Sequence, residues 1–350
     1  MTIKESQQLI LNINQKELQT PVMLIGATGI GKSYSIKELC KENNLGYIDL
    51  RLATQEVTDL IGIPRTVKQE GKEPRTVWTK PDWFPEEGTK GILALEEVNR
   101  APEDVRQAIF QLLTEWRLHT HILPKGWSIV TLINPDNGQY HVNQLGPAFK
   151  RRFIQIIIEP PSVIDWSIWA KKNKLEDTVI RFVGQFPKLL NKQEDVTIEA
   201  QPTAAGWHMV ASLIQNNVIP NKCMHEVISG IVGIEAATTF VQSLKRNFEK
   251  PITAKEILKD YSKVKEKYKK QIENNKNALI YSTMVDIIAT CESIKLDKSQ
   301  LKNLSDYLKD SSPETTTNIL LKVNDKIREQ LSNDEKLLKY VKKIRKEIDE

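Results

Sequence analysis

The sequence has 350 residues, of which 40% are hydrophobic and 27% charged. This length is typical of about two domains, and the composition excludes a mainly disordered chain. The formal net charge of +5 is too small by itself to indicate nucleic-acid binding. No apolar run approaches the roughly 18 residues that span a bilayer, and the first eight residues lack the apolar core of an export signal. Three separated cysteines, Cys40, Cys223 and Cys291, form neither a disulfide framework nor a zinc pattern, so we expect a reduced, cytoplasmic protein without a membrane partner.

The first 160 residues alternate short apolar runs with helical patterns. This alternation predicts a parallel sheet covered by helices. The predicted strands are residues 22–25, 47–50, 92–95, 128–133 and 153–158. Because each run is short and almost continuously apolar, we expect these strands to be buried on both faces.

Two β-hairpins are predicted between these strands. Residues 64–67 (Pro-Arg-Thr-Val) recur as 74–77 around a polar stretch that contains Gly71, a pattern that favours a hairpin. A second hairpin is predicted over residues 118–130, with its turn at 124–126. It carries His119 and His121, which we do not expect to bind a metal, since no further ligand is evident beside them.

The remainder of the chain is predicted to be helical. Residues 162–243 have apolar side chains at spacings of three and four, and residues 255–272 and 334–348 form Lys/Glu-rich amphipathic segments. Residues 263–270 include five lysines. We favour a solvated helix face for this basic run over a contact with nucleic acid or a partner.

A phosphate-binding loop follows the first predicted strand. Residues 26–33 fit the pattern G-x-x-x-x-G-K-[ST], with a strand before them and a helical pattern after them. Glycines allow successive backbone N–H groups to point at phosphate oxygens, the lysine reaches the β- and γ-phosphates, and the serine hydroxyl binds Mg²⁺. The predicted ATP-binding residues are Gly26, Ala27, Thr28, Gly29, Ile30, Gly31, Lys32, Ser33 and Tyr34.

Polar side chains also follow the third and fourth predicted strands. Glu96 and Glu97 end the third strand, where open α/β sheets bind ligands. We assign Glu96, with Ser33, to Mg²⁺ and Glu97 to the activation of water. Asn134 follows the fourth strand, where its neutral amide can hydrogen-bond the attacking water or the γ-phosphate.

Two arginines precede the last strand. Arg151 and Arg152 form either a solvated helix end or a bidentate phosphate clamp. An arginine supplied by a neighbouring subunit stabilises charge on the transferred phosphoryl group and accelerates its transfer by about 10³–10⁵-fold. We favour Arg152 for this role, with Arg151 as the alternative.

Together these motifs resemble those of the AAA+ ATPases, specifically the MoxR-like branch of bacteria and phages. The resemblance rests on the phosphate loop, the Asp-Leu-Ile-Gly element at 59–62, the Glu-Glu-Val-Asn-Arg-Ala-Pro element at 96–102, Asn134-Pro135 and Arg151-Arg152-Phe153. It is clear up to about residue 160 and weak beyond it. It implies an αβα sandwich with a parallel sheet over residues 1–160, a helical lid over 161–250 and a helical C-terminal region over 251–350.

The same resemblance implies a homo-oligomeric ring, usually hexameric, that binds Mg²⁺ and ATP between subunits. MoxR-like ATPases are typically chaperone-like and often act with a partner that carries a von Willebrand factor A domain. The chain departs from the family at two positions. Glu96 replaces the usual aspartate, and Ala205 replaces an arginine of the lid; we expect His208 beside it to have a packing role.

Three functions remain open from the sequence. The favoured one is a Mg-ATP-hydrolysing ring ATPase that remodels or activates a partner protein. A nucleic-acid motor like that of McrBC-type restriction is supported only by the basic run. An ATP-dependent scaffold that hydrolyses little is suggested by Glu96 and Ala205. A small-molecule kinase is less favoured, because it has no use for the hairpins and the paired arginines.

Overall fold

The computed structural model describes residues 1–68, 71, 73–135, 144–192, 199–245 and 249–349, with side chains up to residue 342. The chain divides into two compact units, residues 1–160 and 161–350. Within the described residues, no helix has the length and apolar character required to cross a membrane.

The first unit is built on a five-stranded parallel sheet, as the sequence predicted. The strands of the unit are β1 (Val22–Ile25), β2 (Gly46–Arg51), β3 (Pro64–Val67), β4 (Arg75–Trp78), β5 (Gly91–Glu96), β6 (Arg117–Leu118), β7 (His121–Ile122), β8 (Trp127–Ile133) and β9 (Ile154–Ile157). The parallel sheet has the order β2-β5-β8-β1-β9. Every residue of β5 and β8 is buried, which explains their almost continuous apolar character.

Five α-helices accompany the strands of this unit. They are α1 (Ile3–Gln15), α2 (Lys32–Glu42), α3 (Val57–Ile61), α4 (Glu103–Glu115) and α5 (Pro147–Lys150). Helix α1 begins at a capping box in which Thr2 and Glu5 each accept a hydrogen bond from the other residue's backbone N–H. Two separate hydrophobic clusters of this unit each combine residues of the sheet with residues of its helices.

The two hairpins are both present, but the second differs from its prediction. Strands β3 and β4 pair antiparallel, as the repeated segment predicted; part of their connection (residues 69, 70 and 72) lies outside the described residues. In the second hairpin, β6 pairs with β7, so the turn lies at His119–Thr120 and not at 124–126. Residues 127–130 belong to β8 instead, because their apolar side chains are buried in the parallel sheet. His119 adopts the left-handed conformation that this tight turn requires (φ 52°).

The second unit is helical within its described residues. Its α-helices are α6 (Val163–Lys172), α7 (Asp177–Gln185), α8 (Ala204–Gln215), α9 (Met224–Val232), α10 (Ile234–Ser243), α11 (Ala254–Asp260), α12 (Lys265–Glu273), α13 (Asn277–Ser293), α14 (Lys298–Asp310), α15 (Pro313–Lys322), α16 (Asp325–Ser332) and α17 (Glu335–Asp349). The predicted segment 255–272 is split into α11 and α12 by a 3₁₀ turn, Tyr261–Lys263. One hydrophobic cluster extends from Val163 to Leu337. The predicted division of this unit at residue 250 stays a prediction.

An ion-paired lysine links four helices of the second unit. Lys171 on α6 lies 2.7 Å from Asp177 Oδ1 on α7 and 2.9 Å from Asp286 Oδ1 on α13. The other carboxylate oxygen of Asp286 accepts a 2.7 Å hydrogen bond from the backbone N–H of Ala254, the first residue of α11. The lysine therefore balances the buried carboxylate that joins α11 to α13.

Candidate active site

The phosphate loop follows β1 and leads into α2. Gly29 and Gly31 have φ values of 78° and 101°, in the left-handed region that favours glycine. Gly31 is the N-cap of α2, and no side chain caps the helix there. The first turn of α2 also contains no acidic residue. Its backbone N–H groups and the helix dipole therefore suit an anion such as a phosphate group.

The Lys32 ammonium group lies inside this loop and contacts only neutral acceptors. It donates hydrogen bonds to the backbone oxygens of Gly26 (2.5 Å) and Ala27 (2.8 Å) and to Oδ1 of Asn134 (3.1 Å). Burial lowers the pKa of Lys32 to about 8, although the negative charge of Glu96 acts in the opposite direction. An anionic ligand would give this lysine the counter-charge that its neutral partners do not supply.

The two predicted acidic residues have different environments. Glu96, the last residue of β5, is 9% exposed, and its Oε1 is buried without a hydrogen-bond partner. Glu97 is half-buried and turns the chain in the left-handed conformation, which is uncommon for a residue with a side chain (φ 57°). Its carboxylate lies 3.4 Å from the guanidinium group of Arg100. The sharp turn after Glu96 therefore separates one enclosed carboxylate from one that water can reach.

Asn134 joins the phosphate loop to the segment that follows the acidic pair. Its side-chain oxygen accepts the hydrogen bond from Lys32, and its backbone oxygen accepts a 3.2 Å hydrogen bond from Nδ2 of Asn99. Asn99 is 4% exposed and lies in the 3₁₀ turn that begins directly after Glu97. Sequence reasoning quoted Asn99 within a motif but gave it no role; its position two residues after a strand-end carboxylate was the available signal.

Sheet register explains why these groups meet. Ile25 pairs with Ile133, and Glu96 pairs with Leu132. The backbone N–H groups of Gly26 and Glu97 donate to Ile133 and Leu132, respectively. The carboxyl ends of β1, β5 and β8 consequently lie at one edge of the sheet, which is where ligands bind in open α/β folds.

Arg151 and Arg152 lie at the opposite edge of the sheet. They precede β9, whose first residue, Ile154, pairs with the first residue of β1. The four residues of β1 separate that end from the phosphate loop by about 13 Å at the usual rise of a strand. Both arginines are exposed, and the Arg152 guanidinium lies 5.3 Å from the ring centroid of Phe110. One chain therefore does not bring these arginines to its own phosphate loop.

The donor set suits Mg²⁺ bound together with a triphosphate. Mg²⁺ is usually held by one or two carboxylates, water and substrate phosphates, and it does not need a cluster of protein ligands. Within the described part of the chain, no group of three or more His, Cys, Asp or Glu residues could hold a metal ion. Ser33 and Glu96 would hold Mg²⁺, which neutralises phosphate charge when bound. The unpartnered Oε1 of Glu96 fits this assignment.

The remaining predicted histidines lie in aromatic packing. The ring of His119 lies 4.4 Å from that of Trp78, and the ring of His121 lies 5.7 Å from that of Phe84. In the second unit, His208 packs edge-to-face on Trp169, and burial lowers its pKa. These contacts are those of packed side chains.

Comparison with known proteins adds a family to this geometry. Residues 21–153 match the AAA domain of the dynein-related subfamily. This AAA domain begins directly before β1 and ends directly before β9, so it contains the phosphate loop, the acidic pair, Asn134 and both arginines. An AAA domain implies binding and hydrolysis of ATP with Mg²⁺. No curated protein matches the sequence.

Several solved structures are similar to a chain that includes the AAA domain. The RuvB Holliday junction branch migration motor of Thermotoga maritima has 13% identity and a TM-score of 0.40, with 76% of each chain covered. A point mutant of the same protein has 14% identity and a TM-score of 0.40, with 87% of each chain covered. A proposed ATPase of Cytophaga hutchinsonii has 14% identity and a TM-score of 0.37, with 69% of this chain and 89% of its own covered. We base no functional argument on similarity at this level.

Proposed function

We propose that this protein is a Mg-ATP-hydrolysing ring ATPase of the MoxR type that remodels or activates a partner protein. One observation carries the proposal: the ends of three neighbouring strands bring Lys32, Glu96 and Asn134 to one edge of the sheet. A cation, an enclosed carboxylate and a neutral amide are the groups that triphosphate binding and hydrolysis require together.

The roles within one subunit follow from the environment of each group. Lys32 exchanges its neutral acceptors for the β- and γ-phosphates, while Ser33 and Glu96 hold Mg²⁺. Glu97, the carboxylate that water reaches, orients and deprotonates the attacking water. Asn134, once released by Lys32, hydrogen-bonds the γ-phosphate or that water.

A neighbouring subunit completes the site in this proposal. Arg152 lies at the edge of the sheet opposite its own phosphate loop, as expected for a residue that serves another copy. Its guanidinium would stabilise the charge of the transferred phosphoryl group. The ring, which is usually hexameric in this family, is thereby part of the site.

Mass photometry with parallel phosphate-release measurements tests the proposal. We expect ATP and Mg²⁺ to convert monomers into rings that release phosphate. Glu97→Gln should form the same rings and lose turnover, because only water activation is removed. Arg152→Ala should retain nucleotide binding and lose turnover by about 10³-fold or more. Failure to bind nucleotide, or a monomer that hydrolyses ATP, would contradict the proposal.

The scaffold alternative shares the binding site but not the hydrolysis. It is motivated by Glu96, whose extra methylene shifts the carboxylate, and by Ala205, which is exposed in the first turn of α8, where the family has a lid arginine. Under this alternative, rings form with ATP and turnover stays near zero. Glu96→Asp distinguishes the two, since a large rise in turnover would show that Glu96 limits an active site.

The nucleic-acid alternative loses its main support in the structure. Within the basic run, Lys263, Lys265 and Lys269 each lie within 3.5 Å of a carboxylate, on Asp260, Asp310 and Glu266, respectively. Locally paired lysines are typical of a solvated helix face. Titration with labelled single- and double-stranded DNA and RNA at low salt tests this alternative, and strong salt-dependent binding would restore it.

The partner and the division of the second unit are also proposals. We infer a protein partner, of which a protein with a von Willebrand factor A domain is the leading type, and we infer that residues 161–250 act as the lid of the ATP site and 251–350 as a helical C-terminal region. Co-purification with such a partner, retained by Glu97→Gln with ATP, would support the first inference. Limited proteolysis with and without ATP addresses the second, because a lid should become protected when nucleotide binds.

A further inference from the structure

Asn99 holds the backbone of the sensor residue Asn134 from the side of the acidic pair. Its Nδ2 donates to the Asn134 backbone oxygen at 3.2 Å, and the side chain is 4% exposed. The acceptor fixes the orientation of the Asn99 amide, because the opposite rotamer would place Oδ1 against a carbonyl oxygen.

The sheet itself cannot supply this link. The ladder between β5 and β8 ends where the Glu97 backbone N–H donates to Leu132 at 3.0 Å. The left-handed turn at Glu97 then directs the chain away from the strand, so no further ladder bond can form (φ 57°). On the other strand, Pro135 follows Asn134 and has no N–H to donate. The Asn99 side chain takes the place of the next ladder bond.

Asn134 is therefore held between two segments. On one side, the Lys32 ammonium bonds its side chain, and Gly26 N–H bonds the preceding carbonyl at 3.2 Å. On the other side, Asn99 bonds its main chain. When a triphosphate takes Lys32 away, the contact from Asn99 still fixes the backbone from which the Asn134 side chain reaches toward the γ-phosphate.

We propose that Asn99 is a positioning residue for hydrolysis, which fixes Asn134 relative to Glu96 and Glu97 after Lys32 has moved to the nucleotide. The inference rests on the proposed ATPase function. It differs from the catalytic assignments because Asn99 acts through Asn134 and does not itself contact the nucleotide.

Steady-state kinetics and nucleotide titration of Asn99→Ala test the proposal. We expect kcat to fall by about 10- to 100-fold, the effect of a small misplacement of a catalytic group, while ATP affinity changes by less than about threefold. Asn134→Ala should have the same or a larger effect. The double variant should be no slower than Asn134→Ala alone, because Asn99 has no role once the Asn134 side chain is absent.

Asn14→Ala is the matched structural control. Asn14 is also a buried asparagine, but its Nδ2 donates to the backbone oxygens of Gly91 (3.0 Å) and Gly126 (2.9 Å) at the amino-terminal ends of β5 and β8. Its loss should lower thermal stability while kcat per folded molecule is retained. If Asn14→Ala lowered kcat as much as Asn99→Ala, a general loss of sheet integrity would explain both, and the proposal would be wrong.

A second measurement separates this inference from the proposed function. The ratio of ATP to ADP affinity reports the contact with the γ-phosphate without turnover, and Asn99→Ala should reduce it as Asn134→Ala does. An active wild type with unchanged kcat in Asn99→Ala would overturn the inference alone. A wild type that binds nucleotide but does not hydrolyse it would overturn the hydrolytic function, and the affinity ratio would then decide whether Asn99 positions Asn134. If the wild type binds no nucleotide, both fail.

Discussion

The two units each contain a substantially buried lysine, and the partners of the two lysines are opposite in kind. In the first unit, Lys32 donates to two backbone oxygens and an amide oxygen, and burial lowers its pKa to about 8. In the second unit, burial also lowers the pKa of Lys171, but the charge of Asp286 and hydrogen bonds to Asp177 and Asp286 outweigh burial and raise it. A lysine with carboxylate partners stabilises a fold, whereas one with only neutral partners is suited to binding an anion.

The largest expected effect is on the second unit, from Lys171→Met. The substitution leaves the Asp286 carboxylate, which is 5% exposed, without its cation. Breaking a buried ion pair in this way costs about 3–5 kcal/mol, so we expect a loss of this size in the urea-unfolding free energy. Nucleotide affinity of the folded protein should not change.

The double variant Lys171→Met/Asp286→Asn is the control for that prediction. It removes both charges and retains a side-chain oxygen for the Ala254 N–H, so it should recover most of the lost stability. If the double variant were as unstable as the single one, packing of the lysine stem would explain the loss, and the contrast with Lys32 would weaken.

Lys32→Met reverses the pattern. Hydrogen bonds to charged groups contribute about 1.5–3 kcal/mol each, so we expect ATP affinity to fall by about 100-fold or more. Stability should stay the same or rise, since the desolvation cost of a buried ammonium group is removed. Fluorescent-nucleotide titration and urea unfolding of the same preparation measure both, and a marked loss of stability would assign Lys32 a structural role.

The lowered pKa of Lys32 makes ATP affinity depend on pH. Below pH 8 the lysine is already protonated in the free protein, and affinity is full. Above pH 8 the free protein loses this proton, which the triphosphate complex retains, so binding must take it up and affinity falls by about tenfold per pH unit. Titrations between pH 7 and 9.5 measure this. Lys32→Arg is the control, because arginine stays protonated and its affinity should be independent of pH.

The sequence predicted the first unit well because its signals are local. Five apolar runs defined the strands of the parallel sheet to within about one residue, and the phosphate loop needed glycines at fixed spacing. Residues 118–130 were assigned wrongly in part, since Pro124 and Gly126 form a turn signal of ordinary strength. The burial of residues 127–130 in the sheet, a non-local effect, outweighed it.

The contacts of the site could be predicted only in part. Glu96, Glu97 and Asn134 were identified because strand ends are recognisable in a sequence. The bond from Asn99 to Asn134 depends on the left-handed turn at Glu97 and on the register of β5 with β8, and neither is a property of a local pattern. The Lys171–Asp286 pair joins residues 115 positions apart and left no signal of its own.

The smallest effect is expected from a third class of lysine, the exposed and paired one. Lys263 and Lys269 lie 3.3 Å and 3.5 Å from carboxylates one helical turn away, with side chains 77% and 46% exposed. Water and salt screen such pairs, so Lys263→Ala/Lys269→Ala should leave thermal stability, ATP affinity and turnover unchanged within error. A clear loss of turnover would require a partner for this helix face that a single chain does not show, and a loss of DNA or RNA binding at low salt would identify that partner as nucleic acid.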